Sequence, residues 1–189
     1  MNKYSTPIKY GIIGALVSCI TSFIAYMFYR QLFASFMSQI LVGLVIFAIG
    51  VFIPVWGGVT FRAERGGILL FKDAFLGVFI ICAISSAGSG LMTYVIPNII
   101  DPDYAPKLME LVQTTTRESM EKFGAPDDKI EEAMGRFKIE NFKPNALGAL
   151  KGYGISLIWG AVLSLIIAAF IKRKPDTNVI PETDMGTSS

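Results

Sequence analysis

Residues 152–171 read GYGISLIWGAVLSLIIAAFI, twenty consecutive positions without Asp, Glu, Lys or Arg, followed at once by Lys172, Arg173 and Lys174. A hydrocarbon core about 30 Å thick is crossed by about 20 apolar residues rising 1.5 Å each. The stretch therefore has the length of one crossing, with a basic anchor at its end. The same test applied outward finds three further charge-free windows, at 10–29 (20 residues), 31–61 (31) and 74–100 (27). Together the four windows hold 98 of the 189 residues. The expected fold is an all-α integral membrane protein whose four transmembrane helices lie near 10–29, 40–61, 74–96 and 146–171. They form a single membrane domain over 1–174. The polar 175–189 has no periodicity and reads as a disordered tail.

Composition agrees with this reading and removes several chemistries. Charged residues make up 17% of the chain, and mean hydropathy is +0.52; soluble domains carry about 25% charge. There is no histidine, so the commonest metal ligand and general base is missing. Cys19 and Cys82 both fall inside expected spans, where thiols act as small apolar fillers. No phosphate loop, nucleophile elbow or zinc-protease pattern occurs. No catalytic residue, metal or cofactor is expected, and the net charge of +2 marks no nucleic-acid patch. The first window is too long for a signal-peptide core of about 7–15 residues and is read as an uncleaved span.

The second window exceeds one crossing, so 31–39 is expected to be an interfacial turn. Pro54 lies within that span and is expected to kink it. Gly43, Gly50 and Gly57 recur every seven residues, which puts them on one face where a helix can approach closely. Gly66 and Gly67 read as a turn before the third span, which carries the small residues Ser85, Ser86, Ala87, Gly88, Ser89 and Gly90. The fourth span holds an unbroken row of small residues every four positions: Gly148, Gly152, Ser156, Gly160, Ser164 and Ala168. Such a row forms one smooth ridge, suited to tight packing within the chain or between copies.

Between the third and fourth spans the composition changes. Residues 101–144 contain ten acidic and seven basic side chains, more than half of the chain's 32 charges. Met109, Val112, Met120 and Phe123 follow helical spacing with Leu108 and Leu111 beside them, Pro106 suits a first turn and Gly124 a stop. Asp127 is expected to cap a second helix with Ile130, Ala133, Met134 and Phe137 on its apolar stripe. The segment reads as a two-helix amphipathic insert outside the membrane. Two charges lie close to spans. Lys151, about one turn inside the fourth, is expected to snorkel to the headgroups. Asp73, opening the third, is expected to serve the helix N-terminus.

Four spans leave both termini on one side. Lys3, Lys9, Arg62, Arg65, Lys72 and Lys172 to Lys174 then share that side, opposite Arg30, Lys151 and the insert's seven basic residues. The first group is denser along the chain, so cytoplasmic termini are expected.

From Ile40 onward the chain resembles the DUF4199 family, bacterial membrane proteins of unknown function found mainly in Bacteroidetes. The resemblance is carried by Gly67-Ile68-Leu69-Leu70-Phe71-Lys72-Asp73-Ala74-Phe75-Leu76-Gly77 at the entry to the third span, by the charged helical insert, and by the small-residue final helix running into Lys172-Arg173-Lys174. It implies a bacterial inner-membrane protein with this span–insert–span order, and brings no catalytic residue or substrate. The leading functional expectation is a non-enzymatic interaction or accessory subunit that uses its 101–144 insert, with the lipid bilayer and another membrane protein or a second copy as partners. The alternative is a small-solute transporter or channel-like protein acting as a homo-oligomer, its path lined by Pro54 and the serines of the third span.

Overall fold

The computed structural model describes residues 3–33 and 35–173; Lys174 and the expected tail at 175–189 lie outside them. The described residues form helices joined by short connections, with no strand beyond an isolated antiparallel bridge between Leu69 and Arg173. Four helices are long and apolar enough to cross a membrane: α1 (Ser5–Met27), α3 (Phe36–Ala63), α4 (Phe71–Val95) and α8 (Ala146–Ile171). A single turn, α2 (Tyr29–Leu32), precedes α3. The insert comprises α5 (Tyr104–Lys122), α6 (Asp127–Gly135) and α7 (Ile139–Phe142).

Helix boundaries differ from the sequence expectation for local reasons. α1 starts at Ser5 rather than Tyr10, because Pro7 falls in its first turn, where a missing N–H costs nothing. α3 starts at Phe36 rather than Ile40. Ser35 and Ser38 form a reciprocal capping box, which satisfies two of the helix's orphan donors. α3 then runs without interruption through Pro54. α4 does not stop at Pro97 but widens into a π-turn over Ile96–Ile100, closed by the Asp101 N–H on the Ile96 carbonyl at 2.9 Å. α8 begins at Ala146 as expected, its N-cap Asn145 accepting from the Gly148 N–H at 2.7 Å. The insert has three helical pieces where two were expected. Asp127 is the first residue of α6, Pro126 takes the N-cap position without any side-chain cap bond, and Phe137 lies beyond the helix end, where it stacks on Phe142.

α1 and α4 form the tightest pair. A Cβ added at Gly88 would lie 2.5 Å from the Ala15 carbonyl oxygen, one at Gly11 would meet the Ile84 Cβ at 2.8 Å, and one at Gly14 would overlap Ser85. Backbone thus meets backbone, and two hydrogen bonds cross the contact: Ser85 Oγ to the Gly11 carbonyl at 3.4 Å and Cys19 Sγ to the Gly88 carbonyl at 3.5 Å. In lipid such packing and interhelical bonding drive association, since tails offer the same apolarity as a leucine. Cys19 and Cys82 are both free thiols.

α3 and α8 join this pair mainly at the end where the termini lie. The buried residues of α3 are Ile53, Pro54, Gly57, Gly58 and Phe61, all in its second half. Gly57 meets Ile81 and Tyr10, and Gly58 meets Ile171 and Val78. On α8, Ser164, Ile167, Ala168 and Ile171 are buried, in a core with Phe61, Leu69, Ala74, Val78 and Cys82. The small-residue row of α8 is accordingly divided. Gly160 approaches the Cys82 Cβ at 3.2 Å and Ser164 and Ala168 are fully buried, whereas Gly152 has nothing within 4 Å and Gly148 meets its own cap, Asn145 and Pro144. The seven-residue row of α3 divides likewise: Gly57 is packed, and Gly43 and Gly50 face open space.

These contacts rank the glycines. Gly88→Ala is expected to force α1 and α4 apart at a cost of about 1–3 kcal/mol, as overpacking does. Gly152→Ala is expected to be neutral or slightly stabilising, because nothing opposes the added methyl and alanine favours the helix. Thermal unfolding of the two variants in the same detergent checks this, and equal midpoints would contradict it.

Candidate intramembrane binding cleft

Because α3 leans on the bundle at one end, its first half stands away from α8. Between them opens a cleft of about 710 Å³ to which all four long helices contribute. Its floor is the α1–α4 pair, from Gly14, Ser18, Thr21, Ser22 and Ala25 on α1 and Cys82, Ser85, Ser86 and Ser89 on α4. One wall is the face of α3 bearing Ile46, Phe47, Ile49, Gly50, Ile53 and Pro54, and the other runs along α8 from Ser156 through Trp159 and Gly160 to Ile166. No charged side chain lines it.

The lining hydroxyls are largely engaged as donors. Thr21 donates to Val17 at 2.8 Å, Ser86 to Ala83 at 3.1 Å, Ser89 to Ser86 at 3.1 Å and Ser156 to Tyr153 at 2.7 Å, each within its own helix. Ser85 donates across to α1. Their oxygen lone pairs are what remain to offer. Pro54 adds an acceptor of another kind. It has no N–H, so the Gly50 carbonyl one turn earlier loses its usual helical donor, and Gly50 and Pro54 both line the cleft.

The two ends of the cleft are held differently. At the termini end a polar clasp ties all four helices. Asp73 accepts from Lys3 Nζ at 2.8 Å, from Arg65 Nη1 at 3.3 Å and from the Tyr4 hydroxyl at 3.3 Å. Arg65 also reaches the Lys3 carbonyl at 3.0 Å and lies over the Phe61 ring. Thr6 donates to Glu64, and Arg62 donates to the Ile171 carbonyl at the end of α8. Leu69 and Arg173 exchange backbone bonds of 3.0 and 2.9 Å. Gly66 and Gly67, at φ +67° and +82°, make the reversal that brings Leu69 there, a backbone region costly for other residues. Asp73 thus sits in the first turn of α4, as expected, and is also the centre of an ion-pair cluster that sequence spacing did not reveal. The bond to Asp73 raises the Lys3 ammonium above its ordinary value.

At the other end the insert braces the start of α3. Thr115 on α5 donates to the Phe33 carbonyl at 3.2 Å, and Phe123 meets Phe36 edge to face. Tyr104 packs edge-on against Tyr26 and Tyr29, both at 5.2 Å. Asn98 donates to the Pro144 carbonyl at 3.1 Å, joining the π-turn to the start of α8. On α6, Glu132 accepts from Arg136 and Lys129, which hold its carboxyl below the ordinary range. Lys151 is exposed on α8 and forms no part of the cleft lining. Among the described residues no group of three or more His, Cys, Asp or Glu is placed to hold a metal.

The sequence profile of DUF4199, a protein family of unknown function, matches residues 9–173. The chain belongs to the DUF4199 family. The match takes in α1, which the resemblance from residue 40 onward did not reach. No curated protein and no solved structure is significantly similar to the chain. Membership of DUF4199 brings no ligand with it, so any reading of the cleft rests on its own residues.

The aromatic seat of the insert yields a pH prediction. Burial, then the neighbouring Tyr29 and Tyr26, push the Tyr104 hydroxyl from 10.0 up to about 12. An unfolded tyrosine releases its proton first, so this contribution to stability is intact below about pH 10 and is lost as pH rises toward 12. Spectrophotometric titration should show a step near pH 12 that Tyr104→Phe lacks. Identical titration curves for the two proteins would contradict the packing described.

Proposed function

We propose that this DUF4199 member is a non-enzymatic, multi-pass protein of the bacterial inner membrane, with cytoplasmic termini, that takes an apolar small molecule from the bilayer into the cleft between α3 and α8. The observation that carries this reading is a charge-free cavity of about 710 Å³ lined by all four membrane helices. Ligand sites typically occupy about 300–1,000 Å³ and are mostly apolar with a few polar groups. A transmembrane helix about 30 Å long and 10 Å wide is several times larger, so the volume suits a lipid-sized molecule rather than a partner helix.

Pro54 and the serines of the third span, which the transport reading grouped from sequence, line this one space. A second copy of the chain is not needed to form it. An accessory subunit acting through its insert has less support, because α5 is seated on the chain's own α2–α3 connection through Thr115 and Phe123.

Gly50 supplies the test. Its Cβ direction is open, so Gly50→Phe is expected to fold normally and fill the cleft. Native mass spectrometry after mild detergent extraction should find an apolar molecule retained by the parent protein and lost from Gly50→Phe. Equal retention by both, or none by the parent, would contradict the reading.

A further inference from the structure

The hydroxyls of the cleft are confined to one end of it. The clasp joins the termini-side ends of the helices, through Leu69–Arg173 and Arg62–Ile171, so positions can be compared by helix rise from that end. At 1.5 Å per residue, Ile166 and Leu163 on α8 lie about 8–12 Å up. Ile53, Pro54 and Gly14 lie at about 14–15 Å. The hydroxyls begin above them: Ser18, Ser85 and Ser156 at about 20–22 Å, and Ser22 and Ser89 at about 26–27 Å. On α3, Ile46, Phe47 and Ile49 lie level with these hydroxyls, at about 21–26 Å. The cleft is thus free of hydroxyls toward the termini, and toward the insert it carries them on α1, α4 and α8 opposite an apolar α3 wall, over a length of roughly 20 Å. That profile matches one chain and one small head, not a uniformly apolar filler.

The chemistry of the head follows from what the lining has left to give. Five hydroxyls already donate to carbonyls, and the Gly50 carbonyl has no donor from Pro54. Ser18 and Ser22 donate to no partner among the described residues; otherwise the cleft offers acceptors. A ligand that only accepts, such as an ether or ester, is left with the Ser18 and Ser22 hydroxyls alone, whereas one that also donates satisfies its own proton and the open lone pairs as well. A cationic head is disfavoured, because no carboxylate lines the cleft and an unpaired ion at membrane depth is costly. Resting on the cleft reading above, we infer that the cleft selects an uncharged long-chain alcohol, held with its hydroxyl toward the insert and its chain along Val162–Ile166 and Ile53–Pro54.

The chain's two tryptophans make this measurable. Trp159 lines the cleft, and Trp56 packs outside it against Tyr10 and Phe52. With Trp56→Phe as the parent, Trp159 reports alone in phospholipid nanodiscs. Three probes share one brominated long chain and end in a hydroxyl, a methyl ether or a quaternary ammonium. The alcohol is expected to quench Trp159 saturably, with apparent affinity roughly fivefold tighter than the ether for each hydrogen bond it alone makes. The ammonium is expected to show no saturable phase. Pro54→Ala, which restores a donor to the Gly50 carbonyl, and Ser86→Ala with Ser89→Ala should each narrow the alcohol–ether gap.

Equal saturable quenching by alcohol and ether overturns the choice of head while leaving the cleft reading standing. Saturable quenching by the ammonium at least as tight as by the alcohol overturns the uncharged class. Purely linear quenching by all three, unchanged by Gly50→Phe, overturns the cleft as a binding site and this inference with it.

Discussion

The close approach of α1 and α4, where Gly88 admits the Ala15 carbonyl to a distance no side chain permits, sets the geometry of the rest. Inside a bilayer there is no hydrophobic drive to press helices together, so shape and interhelical bonds must do it. Gly11, Gly14, Ala15, Ser85 and Gly88 supply the shape. The Ser85–Gly11 and Cys19–Gly88 bonds, both along one seam, hold the register. α1 and α4 then act as a floor on which the other two spans lean.

α3 and α8 lean unevenly. Their buried residues, Ile53 to Phe61 on one and Ser164 to Ile171 on the other, gather at the termini end. There the Asp73 cluster, the Arg62–Ile171 bond and the Leu69–Arg173 bridge close the bundle. At the far end α3 starts from the Ser35 cap between Phe33 and Phe36; Phe33 accepts from Thr115 of α5, and Phe36 meets Phe123 just past the end of α5. One end clasped and the other braced outward leaves a wedge of space between them. Its serines and the Pro54 break are the polar features of an otherwise aliphatic interior.

The four spans were legible in the sequence because a bilayer imposes a length and excludes charge, and both are read without knowing any contact. The charged insert was legible as helical for the complementary reason, since water on one face imposes a period. Contacts were not. The row from Gly148 to Ala168 shows where a helix can come close, yet Gly160, Ser164 and Ala168 meet α4 while Gly152 meets nothing. The seam that matters most, at Gly11, Gly14 and Ala15, carries the same signal at spacings of three and four. It is masked by Ile12, Ile13 and Leu16 within a uniformly apolar run. Asp73 could be placed at a helix start, but its partners Lys3 and Arg65 come from other segments. The cleft was least legible of all, because it exists only where α3 fails to pack. Pro54 and the serines of the third span could be grouped as lining a path, but the α1 floor at Gly14, Ser18 and Ser22 and the α8 wall at Ser156 and Trp159 could not be added to them.

The central claim is that the bundle is closed at the termini end and open between α3 and α8 toward the insert. Photolabelling in the bilayer with a membrane-soluble diazirine, whose carbene inserts into any C–H or O–H bond it meets, tests it at Gly50, Ser86 and Val78. The account predicts labelling at Gly50 and Ser86 and none at the fully buried Val78. A Ser86 position as silent as Val78 in the bilayer would mean a closed four-helix bundle and would contradict it.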